Sequence, residues 1–324
     1  MKNNKNTLIQ LLKKYAIFFV LVALILLFSL WSPYFLTISN LTNIFVQQSY
    51  VIIAAVGLSF VMISGGMDLS LGWQMSLVGV VTAVLMKNVG LPVFVSVLLG
   101  CGLGLLLGLI NGYASVLLKV HPLIVTLGTM TMFQGLSYIA ANQSVILNLP
   151  ASYKFLGQGY FFDVIPVSVV MMLIVVFCAS FILNKTKIGR SIYAVGSNPE
   201  AAHLAGIKVT RIKLLVFGIC GLFAALSSLV LFARTGSAAP ATGPGTEFSC
   251  MTACVVGGIS FKGGEGKMWG VVVGVLILGV LSNGMQLIGM GTYTQFVVKG
   301  LVLLAAVGFD TYQKISATKV KAAA

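Results

Sequence analysis

The sequence is short of charge, of acids above all. Its 324 residues hold six acidic and twenty basic side chains, 8% charged in all, and only two histidines. His121 and His203 leave a histidine-based catalytic centre poorly supplied, and neither H-E-x-x-H nor G-x-S-x-G occurs. The glycine-rich segment GGISFKGGEGKMWG, Gly257 to Gly270, is not a phosphate loop. Such a loop needs G-x-x-x-x-G-K-[ST], and here Lys267 is followed by Met268. With no nucleotide motif of its own, the chain gives an enzyme reading little to stand on. The five cysteines (Cys101, Cys178, Cys220, Cys250, Cys254) lie in or beside apolar runs. Cys250 and Cys254 share a helical face but have no His or Asp nearby, so they read as small packing residues rather than metal ligands. Alternating polarity is also missing, which excludes a membrane β-barrel. No A-x-A-like cleavage site follows the lysine-flanked apolar run Tyr15–Trp31, so that run reads as a retained span rather than a signal peptide.

What is present is oil. Hydrophobic residues make up 58% of the chain, too many for a soluble domain to cover with polar groups. They come in runs of about 17–25 residues, the length that carries a helix across a bilayer core. Ten candidate spans follow, at roughly 15–32, 42–63, 70–86, 92–111, 123–141, 164–183, 212–233, 248–258, 268–288 and 294–309. The eighth is short for a crossing and reads as tilted or re-entrant, so nine or eleven crossings stay open. The expected fold is an all-α polytopic membrane protein of about ten transmembrane helices with both termini cytoplasmic. It forms one transmembrane domain over 1–324, with cytoplasmic tails at 1–14 and 310–324 and a cytoplasmic loop at 184–213.

Charge supports that topology. Sixteen of the twenty basic residues fall on the inside segments, and the outside segments keep Lys87, Lys154 and Arg234. This asymmetry explains the net charge of +14 without nucleic acid as a partner. The longest outside loop, about Asn142 to Asp163, carries Tyr153, Tyr160, Phe161 and Phe162, expected at headgroup level. Another outside loop, RTGSAAPATGPGTEF, reads as irregular; either loop is suited to an extracytoplasmic partner. Gly100, Gly104, Gly108 and Gly112 form a small-x-x-x-small ladder, and Gly266, Gly270 and Gly274 repeat its spacing. Such ladders let helix backbones approach closely in lipid.

Three groups of residues are candidates for function. The first is GSNPEAAHLAGIKV in the longest cytoplasmic loop, a short helix with both ends marked. Asn198 suits the N-cap, Pro199 the first helical position and Gly206 the position just past the end. Glu200 favours the first-turn dipole, and Ala201, Ala202, Leu204 and Ala205 give a small, smooth surface. The helix is either a docking element or an interfacial helix tethered by Lys208, Arg211 and Lys213. The second group is SGGMDLSLG, where Gly65 and Gly66 break a helix. Asp68 there reads as N-cap of the third span, with Ser70 in its first turn, or as polar lining at the mouth of a pathway. The third group is polar residues within spans: Gln47, Gln48 and Ser49 starting the second, Thr126, Thr129, Thr131 and Gln134 lining the fifth, and Asn111 and Asn283. They suit a neutral, hydrogen-bonding solute or plain interhelical bonds. Lys299 in the last span either snorkels outward or pairs inside the bundle.

Five stretches in order resemble the permease subunit of ribose-type sugar ABC importers over nearly the whole chain. They are GGMDLSLG, VTLGTMTMFQGLSYI, GSNPEAAHLAGIKV, GGEGKMWGVVVGVLILGVLSNGMQLIG and VVKGLVLLAAVGFD. The resemblance implies a type II importer-like fold in a bacterial cytoplasmic membrane. It makes Asn198–Gly206 the coupling helix that docks into separate ATPase subunits. ATP and Mg are then held by those subunits, and this chain binds no cofactor or metal. A second permease copy, or a paralogue, completes the pathway, and an extracytoplasmic sugar-binding protein delivers the solute. Gln134 stands where the family often has a basic residue, and Lys267 where it often has threonine. Alternatives are a permease for nucleosides or branched-chain amino acids, an ion-driven secondary transporter, and a membrane scaffold.

Overall fold

The computed structural model describes residues 2–322, with side chains placed for 17–308 and at Thr311. The expected cytoplasmic tails at 1–14 and 310–324 therefore lie outside the described side chains, Thr311 excepted. The chain runs α1 (Lys2–Trp31), α2 (Ile38–Ile63), α3 (Leu71–Lys87), α4 (Val93–Leu117), α5 (Pro122–Ala140) and α6 (Ala151–Gln158). A small hairpin of β1 (Tyr160–Phe161) and β2 (Ile165–Pro166) follows, paired antiparallel with Tyr160 opposite Pro166. Then come α7 (Val167–Lys185), α8 (Lys187–Ser197), α9 (Pro199–Leu204), α10 (Val209–Thr235), α11 (Thr246–Val256), α12 (Met268–Leu287) and α13 (Thr292–Ala322).

Each of the ten apolar runs of the sequence forms a helix. Six of these helices, α2, α4, α5, α7, α10 and α12, are long and apolar enough to cross a membrane. Four apolar stretches are shorter: Ile17–Trp31 within α1, α3, α11, and Thr292–Gly308 within α13. At 1.5 Å per residue the 11 residues of α11 extend about 16 Å, roughly half a bilayer core. That agrees with the shortness expected of the eighth run.

The core is built on α2 and α10. From Val51 to Ile63 every residue of α2 is buried, and α10 is closed in from Val216 to Ala233 almost as completely. Helices α10, α11, α12 and α7 surround α2, while α10 packs in addition on α3, α4 and α6. By contrast α4, α5 and α7 keep wide apolar faces outward, as at Leu106, Met132 and Phe177. Helices that are hydrophobic all round suit a site between protein and lipid.

Three rungs of the glycine ladder of α4 lie against α10, while Gly100 meets Thr82 of α3. Gly104 meets Ala225 and Gly221, Gly108 meets Phe217 and Gly221, and Gly112 meets Phe217 and Leu214. A Cβ at Gly108 would collide with the Phe217 carbonyl. The second ladder works likewise, with Gly270 and Gly274 of α12 against the end of α11. Gly266 falls outside that contact and sits in the preceding loop.

One expectation for the loops read as outside changes. Tyr153 is not an exposed interfacial aromatic: it is fully buried in α6, and its hydroxyl donates to the Leu229 carbonyl at 3.1 Å. The reason is Gly157, which lets α6 settle on the backbone of Arg234. Tyr160, Phe161 and Phe162 do stay exposed. The Gly/Pro-rich loop has no helix or strand between α10 and α11, as expected, and Ala238 pairs with Ile146 through two backbone bonds of 2.8 and 2.9 Å.

Gly108→Leu is expected to overpack the α4–α10 contact, costing about 1–3 kcal/mol. Gly102→Leu on the same helix faces open space and should cost little. Thermal melting of the two purified variants checks the difference.

Candidate coupling and translocation site

The final turn of α2 unwinds at Ser64. Gly65 takes φ +80°, and Gly66 N–H returns to the Val61 carbonyl at 2.9 Å. Only glycine adopts that backbone without strain. The chain restarts as α3 at Leu71, and the carboxylate of Asp68 lies in the gap. Asp68 is 1% exposed. Its Oδ1 accepts from Ser70 N at 2.9 Å and from Ser70 Oγ at 2.6 Å. Asn111 of α4 donates Nδ2 to Ser70 Oγ at 2.8 Å and lies 3.5 Å from Asp68 Oδ2. Cys220 Sγ of α10 is 3.9 Å from the same oxygen. Thr126 of α5 accepts the Leu69 N–H at 3.2 Å. Burial pushes the Asp68 carboxyl above the usual carboxylate range, and the Ser70, Asn111 and Cys220 donors oppose the shift.

These contacts refine both readings of Asp68. The N-cap residue of α3 is Ser70, and it makes no side-chain cap bond because its hydroxyl serves Asp68 and Asn111. Asp68 acts two residues earlier, folding the gap back on itself. It does not line an open mouth in this conformation; it is closed over by α4, α5 and α10.

Other polar residues distribute around this group. Gln74 Nε2 donates to the Gly104 carbonyl at 2.9 Å, while Gln74 Oε1 and Asn111 Oδ1 are buried acceptors with no protein partner. Thr129 bonds only its own helix, through Thr126 O at 3.3 Å. Gln134 and Lys299 are partly buried, on α5 and α13, and make no hydrogen bond to the Asp68 group. Asn283 is elsewhere: it exchanges two bonds of 2.9 Å with Asn40, pinning α12 to the start of α2. Gln47, Gln48 and Ser49 lie inside α2 rather than at its start, because Thr37 caps the helix earlier by accepting from Asn40 N.

One acid was not singled out from the sequence. Glu247, 1% exposed at the start of α11, accepts Gly245 N–H with both oxygens at 3.0 Å. Gly72 is obligatory beside it, since a Cβ there would strike the Glu247 carboxylate. A lone acid just after a Gly/Pro-rich loop and before a short apolar run was the available signal.

The short helix expected in the 184–213 loop is α9, and its ends match expectation. Asn198 Oδ1 accepts Ala201 N–H at 3.0 Å, Pro199 opens the helix with Glu200 in its first turn, and Gly206 follows at φ +83°. Glu200, Ala201 and Leu204 are exposed, Leu204 by 88%. Ala202 points inward at 4% exposure, so it anchors the helix instead of presenting a surface. Directly before α9, the amphipathic helix α8 buries Gly189, Ile192 and Val195.

The end of α8 touches the break in α2. A Cβ on Gly196 would collide with the Ile63 carbonyl, and Gly264 N–H donates to that same carbonyl at 2.8 Å. Gly263 lies against Gly65, Gly264 against Ser197, and Tyr193 donates its hydroxyl to Gly266 O at 2.9 Å. Three segments distant in sequence thus converge on the turn that precedes Asp68. Gly65, Gly66, Asp68, Ser70, Asn111 and Thr126 belong to one connected structure, with α9 attached at its outer end.

Comparison with known proteins gives a consistent picture. Residues 40–307 match a family described as branched-chain amino acid transport system / permease component. The ribose import permease protein of Bacillus subtilis is 38% identical over 92% of this chain and 93% of its own length. The galactose/methyl galactoside import permease protein of Haemophilus influenzae is 35% identical over 95% of this chain and 96% of its own length. The D-allose transport system permease protein of Escherichia coli is 38% identical over 92% and 91%. No solved structure matches.

Asn111→Leu removes the donor that holds Ser70 and Asp68 together. It is expected to lower stability by about 1–3 kcal/mol. Thermal melting should register that loss, whereas Gln134→Leu, outside the group, should melt close to the parent.

Proposed function

The chain belongs to the branched-chain amino acid transport system / permease component family, and from that membership and the joined site we propose how it works. It is a multi-pass permease of the cytoplasmic membrane, of the sugar ABC type. Our reading is that it forms the translocation pathway of an ATP-driven, binding-protein-dependent monosaccharide importer. The proposed domain is the whole of 1–324, with about ten crossings and both termini cytoplasmic. Two copies, or this chain and a paralogue, would line the pathway. ATP and Mg would be held by cytoplasmic ATPase subunits and none by this chain. The relatives named for ribose, galactose/methyl galactoside and D-allose support a monosaccharide cargo over the amino acids of the family's description.

One observation carries the coupling: α9 is exposed, capped at both ends and attached through α8 to the Gly65 turn. ATPase subunits closing on ATP would move α9 as a rigid piece. The thrust passes along α8 to the carbonyl end of α2 and opens the α2–α3 gap. Asp68, Ser70 and Asn111 are then parted. Their donors and acceptors, and the unpartnered oxygens of Gln74 and Asn111, become available to the hydroxyls of a passing sugar. Thr126, Thr129, Gln134, Asn283 and Lys299 remain pathway or gate candidates of lower rank, since they stand apart from the hinge or only support it.

A second reading, ion-driven transport, is favoured by the two buried acids Asp68 and Glu247. It gives α9 nothing to do. Reconstituting the chain in proteoliposomes with its ATPase and loaded binding protein separates the two: ATP-dependent uptake supports coupling, and uptake under an ion gradient alone supports the second.

Glu200→Arg and Leu204→Asp are expected to abolish capture of the ATPase subunits while leaving membrane insertion unchanged. A pull-down from detergent checks both. Asp68→Asn is expected to cut uptake at least tenfold with little loss of assembly, measured as labelled-sugar accumulation in the reconstituted system.

A further inference from the structure

A second polar site lies away from the Asp68 group, where the α4–α5 connection meets the start of α10. An open cavity of about 470 Å³ is lined there by Lys119, His121 and Lys213, together with Ser115, Val209 and Thr210. No carboxylate is among its lining residues. The walls therefore supply cations and hydrogen-bond donors with nothing to neutralise them.

Its donors are arranged for an anion. His121 accepts the Leu123 N–H through Nδ1 at 3.3 Å, which leaves Nε2 as the ring's hydrogen donor. At the start of α10, Lys208 makes no side-chain cap bond, and the first backbone bond back to it comes from Ile212. Val209 and Thr210, both lining the cavity, therefore contribute N–H groups that the helix itself does not use. Two lysines, one imidazole N–H and two backbone N–H groups are the donor set that a phosphate takes.

The neighbourhood indicates where that phosphate comes from. Leu117, Leu118 and Ile124 flank the cavity along the chain and are 61%, 61% and 60% exposed. They continue the outward apolar faces of α4 and α5, a surface that lipid would cover in a membrane. A free phosphate has no use for such neighbours. A phospholipid does, because its acyl chains run over apolar side chains while its headgroup meets the basic ones. We propose that this cavity is a binding site for the phosphate of an anionic phospholipid headgroup.

The site touches both ends of the transport device. Ser115 donates Oγ to the Asn111 carbonyl at 2.8 Å, and Asn111 holds Ser70 and, through it, Asp68. Thr210 stands four residues beyond Gly206, so the same lipid braces the link from α9 into α10. A bound headgroup steadies the resting arrangement of hinge and docking helix together. The assignment does not depend on which solute is carried.

Native mass spectrometry of the full chain, purified in detergent and supplied with phosphatidylglycerol, tests it. The parent should retain phosphatidylglycerol and gain thermal stability from it, more than from phosphatidylcholine. Lys119→Gln/Lys213→Gln should lose at least fivefold in retention, while Lys119→Arg/Lys213→Arg keeps it and Lys87→Gln, distant in the fold, is unchanged. Matching melting curves in the absence of lipid establish that the variants are folded. Equal retention by the Gln pair and the parent would overturn the site. Protection by inorganic phosphate or glycerol phosphate equal to that by phosphatidylglycerol would overturn the lipid assignment.

Discussion

The hydrogen bond from Gly264 N–H to the Ile63 carbonyl, 2.8 Å long, joins segments some two hundred residues apart in the chain. A helix that stops inside an apolar bundle leaves carbonyls without partners, and in a lipid setting each unmet group costs several kcal/mol. Here the loop after α11 supplies the donor. It can do so only because Gly196, Gly263 and Gly264 allow three backbones into a space with no room for a Cβ. The position of the break in α2 is fixed by that contact, and with it the placement of Asp68.

Beyond the break, the structure substitutes hydrogen bonds for ion pairs. The oxygens of Asp68 are met by Ser70, Asn111 and Cys220, and among the described residues no basic side chain pairs with it. Glu247 is met by Gly245, and Asn40 and Asn283 meet each other. Neutral donors of this kind separate at lower cost than a buried salt bridge, since no unpaired charge is left on a second residue. That suits a gap that, on the proposed mechanism, opens and closes. Meanwhile the α4–α10 glycine ladder holds the surrounding helices by close packing, which provides a firm frame for a yielding centre.

Much of this was legible in the sequence. Hydrophobic run lengths located the helices, and the caps of α9 were readable because Asn198, Pro199 and Gly206 act on their nearest neighbours. Long-range relations were not. Composition does not separate the enclosed α2 from α4, which keeps one face outward, as both are simply apolar. Tyr153 looked like an interfacial aromatic because nothing local announces the Leu229 carbonyl that it meets. Asp68 looked like an N-cap because local spacing allowed it, whereas Asn111 on another helix claims the Ser70 hydroxyl and draws the gap closed. Glu247 and Gly196 were passed over for a similar reason: their importance lies in what they face.

On the proposed mechanism, the Gly65 turn transmits movement from α9 to the Asp68 gap through Gly196. Gly196→Val addresses it most directly, because it wedges the contact and leaves the exposed surface of α9 unaltered. In proteoliposomes with ATPase subunits and loaded binding protein, this variant should still capture the ATPase and hydrolyse ATP, yet accumulate at least tenfold less sugar. Uptake at the parent level, with the same hydrolysis, would contradict the hinge.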